Sequence, residues 1–121
     1  MFKLVALTLA MVVSATTLAG QLSGGWTLTL DPDFGGREQA RIDCTFTTKG
    51  EQLTGACGGS APITGEIRGE QVRFEVKTGE KNELTATFIG ALDQAKTKVS
   101  GAWTLTDASG KRDGKFTLQR R

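Results

Sequence analysis

An eight-stranded antiparallel up-and-down β-barrel is the fold this sequence predicts, and three observations predict it. Apolar and polar residues alternate in eight short runs after residue 24, and helical periodicity is absent from the same stretch. Glycines sit inside several runs where hairpin pairing faces them with phenylalanines, a device of strongly coiled, closed sheets. The links are short enough for consecutive strands to be antiparallel neighbours, and closing such a meander removes both exposed edges. The same alternation also allows an open two-sheet sandwich.

The runs follow in order. β1 carries Trp26, Leu28 and Leu30 on one face, with Thr27 and Thr29 on the other. β2 sets Ala40, Ile42, Cys44 and Phe46 against Gln39, Arg41, Asp43, Thr45 and Thr47, and β3 offers Leu53, Gly55 and Cys57. β4 gives Ile63, Gly65 and Ile67, and β5 gives Val72, Phe74 and Val76. β6 has Leu84, Ala86 and Phe88, β7 has Val99, Gly101, Trp103 and Leu105, and β8 has Phe116 and Leu118. The segments Ser23–Thr29 and Ser100–Thr106 echo each other, which convergent strand chemistry explains without a duplicated half.

Turn lengths fix the expected registers. A loop at Lys49 to Gln52 puts Phe46 opposite Gly55 and Cys44 opposite Cys57; a two-residue turn at Gly69-Glu70 puts Phe74 opposite Gly65. The loop Asp93 to Lys96 puts Phe88 opposite Gly101. Opposed Cβ atoms in such a ladder lie about 4.5–5.5 Å apart, within reach of a Cys44–Cys57 disulfide after local adjustment. The chain has no histidine to partner a free thiol, so the cysteines read as structural.

These tight turns fall at one end of the barrel. The links Asp31 to Arg37, Gly58 to Pro62, Lys77 to Asn82 and Asp107 to Arg112 read as longer and fall at the other, which makes a cup. At the closed end, Trp26 meets Arg120, which shares inward parity with Phe116 and Leu118. A guanidinium stacked over the indole would cap the floor and donate hydrogen bonds to β1 carbonyls.

Residues 1–19 read as a secretory signal: Lys3, an apolar run from Leu4 to Val13, and the small-residue site Thr17-Leu18-Ala19. The apolar run is shorter than the roughly 20 residues a membrane span needs. Cleavage leaves residues 20–121 as a single barrel domain in the periplasm or the extracellular medium, with no membrane insertion afterwards. An even cysteine count suits that oxidising location. Losing Lys3 lowers the formal net charge from +2 to +1, too little to steer the chain to nucleic acid or membrane. The basic residues near the end, Lys111, Arg112, Lys115, Arg120 and Arg121, alternate with other positions as a solvated strand face does.

Gly24-x-Trp26 on the first strand, with Arg120 at the end of the last, resembles the calycin superfamily of lipocalins, fatty-acid-binding proteins, avidins and some bacterial protease inhibitors. The resemblance implies that Trp26 and Arg120 belong to the closed end of the barrel and do not contact ligand. Avidin-like proteins line their biotin cavity with several Trp, a Tyr and polar side chains; this chain has no Tyr and few polar inward positions, so the resemblance carries no biotin site. Leu22-Ser23-Gly24-x-Trp26-Thr27-Leu28 and the two cysteines are also similar to small periplasmic inhibitors of secreted metalloproteases. Those insert an N-terminal tail into the protease cleft, whereas cleavage here leaves only residues 20–25 ahead of Trp26.

Catalysis has little to stand on. Without His the commonest general base and metal ligand is missing. Asp31-Pro32-Asp33, followed by Gly35-Gly36, reads as a turn and lacks the regular oxygen spacing of a calcium loop. No metal, cofactor or catalytic residue is assigned. Two functional readings remain. In the first, the protein carries or scavenges a small apolar molecule at a mouth lined by Leu30, Ile42, Ile63, Val76, Leu84 and Leu105, with Phe34 as a lid. In the second, side chains fill the barrel core, and the protein binds another protein through Phe34 as an exposed anchor. Such a module would be a periplasmic protease inhibitor or an envelope accessory factor.

Overall fold

The computed structural model describes residues 22–34, 36–79, 81 and 83–121; the signal expected at residues 1–19 lies outside them. Strands β1 (Gly24–Asp31), β2 (Ala40–Lys49), β3 (Gln52–Cys57), β4 (Ala61–Arg68), β5 (Gln71–Thr78), β6 (Leu84–Leu92), β7 (Lys98–Asp107) and β8 (Gly110–Arg120) run in chain order. Each pairs antiparallel with the next, and β8 returns to β1 with Trp26 opposite Arg120 and Asp31 opposite Lys115. That last ladder closes the barrel and excludes the open sandwich.

Period-two alternation becomes inside and outside. Trp26, Leu28 and Leu30 on β1, Val72, Phe74 and Val76 on β5, and Val99, Trp103 and Leu105 on β7 are all buried. At mid-height four rings meet. Phe74 and Phe88 stack at 4.6 Å with 4° between planes, while Phe46 and Phe116 present edges to them at 5.1–5.9 Å. Burying each ring contributes about 1.5–3 kcal/mol, and each well-oriented pair adds about 0.5–1.5 kcal/mol.

The rings fit because glycines face them. Phe46 lies opposite Gly55 and Phe74 opposite Gly65, as the turns at 50–51 and 69–70 require. A Cβ on Gly65 would meet Phe74 Cα and Cβ at 2.6 Å. The third expected pair is different: Phe88 lies opposite Trp103, and Gly90 opposite Gly101. The cause is a longer turn between β6 and β7. Asp93 N–H donates to the Lys98 carbonyl at 2.9 Å, and its carboxylate accepts the N–H groups of Thr97 at 3.0 Å and Lys98 at 3.2 Å. Lys96 takes a φ of 64° inside this turn. The register moves by two residues, and because the side-chain period is also two, no residue changes face. Phe116, opposite Gly101, covers both glycines; a Cβ on Gly90 would meet its ring tip at 3.0 Å.

The link between β7 and β8 also departs from expectation. It is a two-residue turn, Ala108-Ser109, with Asp107 paired to Gly110. The Asp107 carboxylate accepts the Ser109 N–H at 2.9 Å and hydroxyl at 2.7 Å, and Arg112 at 2.6 Å, so the hairpin stays zipped to its tip. The floor therefore carries the turns at 50–51, 69–70 and 93–97, and the mouth carries 32–39, 58–60, 79–83 and this tight hairpin.

Two predictions follow from this packing. Gly65→Ala pushes a methyl group into the Arg73 carbonyl and the Phe74 backbone, and should cost about 1–3 kcal/mol or more in urea unfolding. The Asp93 carboxyl is held below the ordinary carboxylate range, first by the Thr97 N–H, then by the N–H groups of Lys98 and Lys96 and the Lys98 charge, with desolvation opposing. A depressed folded-state pKa stabilises above the unfolded value of about 3.9 and is lost as pH falls through the folded value. Asp93→Ala should therefore lower Tm at pH 7, and the gap from the parent should narrow as pH falls below about 4.

Candidate functional site

The floor is sealed by the residues at its rim. Trp26 is fully buried, and its Nε1–H donates to the Leu22 carbonyl at 3.0 Å. Arg120 lies 4.4 Å over the indole centroid and donates from Nη1 to the Ser23 carbonyl at 3.1 Å. Arg121 reaches across to the Cys44 carbonyl at 3.3 Å and lies 3.7 Å from the Asp43 carboxylate. These donors satisfy carbonyls where the ladder ends and cover the buried indole from outside.

The mouth is different. A pocket of 330 Å³ opens there, with Leu28 and Ile42 on one wall, Val76 and Phe88 on the other, and Cys57 and Ala61 between them. The turn residues Gly58 and Ser60 and the β5 terminus Thr78 complete its rim. Every strand from β1 to β6 contributes, while β7 and β8 contribute nothing among the described residues. The pocket is therefore off the barrel axis.

Phe34 accounts for that offset. The loop from 32 to 39 is pinned by Asp33, whose carboxylate accepts the Arg37 N–H at 3.0 Å and whose backbone bonds Glu38 and Gly36 at 2.9 Å each. Asp33 is thus engaged in a turn. The loop drops Phe34 into the mouth, edge-on to Trp103 at 5.0 Å and to Phe88 at 6.4 Å. Trp103 in turn rests against Gly114, where a Cβ would meet its Nε1 at 2.7 Å. Phe34 and Trp103 fill the β7–β8 side, and the β2–β5 side stays hollow.

Of the seven residues expected at the mouth, the pocket brings together Phe34, Ile42 and Val76. Leu30, Ile63 and Leu105 are buried at 1–2% exposure in the surrounding wall, and Leu84 packs half-buried against the core. Leu28 and Phe88 had the inward parity of lining residues but lay one or two steps deeper than the expected rim. Nothing in a period-two pattern points to Ser60 or Thr78, which a turn and a strand end place there.

The disulfide joins Cys44 to Cys57 and backs the same wall. Closing a loop of sequence separation 13 contributes about 3 kcal/mol on the chain-entropy account. A Cys44→Ser/Cys57→Ser double variant should lose that amount in chemical denaturation, and the parent under reducing agent should lose the same.

Among the described residues there is no group of three or more His, Cys, Asp or Glu side chains arranged to hold a metal ion. None of their helices is long and apolar enough to cross a membrane.

No protein-family model matches the sequence, and no curated protein does. Among solved structures the barrel is similar to apo shwanavidin in its P21 form, with a TM-score of 0.55 at 16% identity over 78% of this chain and 93% of that one. At that identity the likeness is one of fold, the closed eight-strand antiparallel meander.

Proposed function

We propose that the protein is an exported binding barrel that carries or scavenges a small apolar molecule in its mouth pocket. One observation carries the reading: side chains fill only the lower part of the barrel and the β7–β8 side of the mouth, leaving 330 Å³ of mostly apolar space open at the rim. That volume lies at the small end of ligand pockets. The likeness to shwanavidin, a structure described as apo, supports a ligand-taking barrel. The disulfide supports an oxidising compartment, in line with the signal pattern at residues 1–19. Binding without chemistry suits a chain that has no histidine. The ring that a protein-docking reading needs exposed, Phe34, is committed to Phe88 and Trp103.

Native mass spectrometry of protein isolated from the envelope of its own source tests the proposal. A retained small-molecule adduct is expected, together with uptake of the neutral two-ring probe naphthalene. Ala61→Phe, which fills the pocket from a half-buried strand position, should abolish both while leaving the unfolding midpoint near the parent's. A bare chain that takes up no probe overturns the proposal.

A further inference from the structure

Resting on that reading, we infer that the ligand is compact and uncharged, of one or two rings with a single polar group, and is neither a lipid chain nor an anion. Depth, volume and charge each point this way. The pocket ends on Phe88, which is stacked on Phe74 at 4.6 Å and flanked by the edge of Phe116 at 5.1 Å. Phe46 closes on Phe74 at 5.5 Å. This plug stops a chain from threading toward the floor, so an extended acyl tail has nowhere to lie. At 330 Å³ the space lies at the small end of ligand pockets, which suits a compact molecule.

Charge is decided by what lines the wall. Among the described residues no lining side chain is ionisable, and the side-chain polar groups are the hydroxyls of Ser60 and Thr78 at the rim. A carboxylate held against the wall would give up water and meet no cation among the described lining residues, which burial penalises heavily. A neutral hydroxyl or amide on the ligand can instead donate to and accept from Ser60 and Thr78 while its rings lie against Phe88, Leu28 and Val76. The rim orients one end, and the rings choose a flat shape over a flexible one.

Calorimetry of the mature chain at pH 7 with three probes separates the possibilities: 2-naphthol, 2-naphthoate and 1-decanol. The first should bind at least about tenfold more tightly than either of the others, the anion being the form that burial disfavours. Thr78→Lys places a cation at the rim and should bring 2-naphthoate up by tenfold or more, to the level of 2-naphthol or above it. Equal binding of naphthoate and naphthol by the parent overturns the charge inference, and tighter binding of decanol overturns the shape inference. In both cases, uptake that Ala61→Phe abolishes leaves the carrier reading standing. If none of the three binds, both the inference and the carrier reading fall.

Discussion

Eight strands enclose an interior only just wide enough for side chains, and four phenylalanine rings must share its middle. The rest of the structure follows from how that crowding is relieved. A Cβ at Gly65 would strike Phe74 and one at Gly90 the tip of Phe116, while at Gly55 and Gly101 it would strike the backbone across the ladder, at Thr45 and Ile89; with none there, the strands coil tightly enough for β8 to meet β1. The rings then stack into a plug that divides the barrel in two. Below it, Leu22 and Trp26 occupy the interior, and Arg120 caps them from the rim. Above it, 330 Å³ remains open beside Ile42, Ala61 and Val76.

Much of this was legible in the chain. Alternation identifies the inward residues of all eight strands, and the two shortest floor turns set the Cys44–Cys57 and Phe74–Gly65 registers correctly. The β6–β7 register was not legible, because it depends on the Asp93 carboxylate gathering the N–H groups of Thr97 and Lys98 into a longer turn. No hydrophobic pattern reports such a bond. The error was harmless to the inside–outside assignment because it was even. The β7–β8 turn was misjudged for a related reason: Asp107, Ser109 and Arg112 look like loop composition, yet their mutual bonds brace a hairpin tip.

The pocket was the least legible part. Parity says which side chains point inward, but not how high each stands or which side of the mouth another segment occupies. That second question is answered by Phe34, whose loop is folded by Asp33 and whose ring lands beside Trp103. The two similar segments containing Trp26 and Trp103 illustrate the point. One indole is buried at the floor beside Arg120, and the other supports the mouth beneath Phe34, so equal local sequence serves opposite ends.

The hollow side of the mouth coincides with the sheet's shortest strand, and that coincidence explains where the covalent bond lies. β3 is the shortest strand at six residues, so only six residue pairs join it to β2 and six to β4. Cys57 ends that strand and faces the pocket, tied to Cys44 on β2. A wall left without side chains behind it loses packing on one side. An interior filled on every side would need no such tie. The plug and the floor hold themselves together by burial; along the pocket wall those apolar contacts are left unmade, and there a disulfide takes their place.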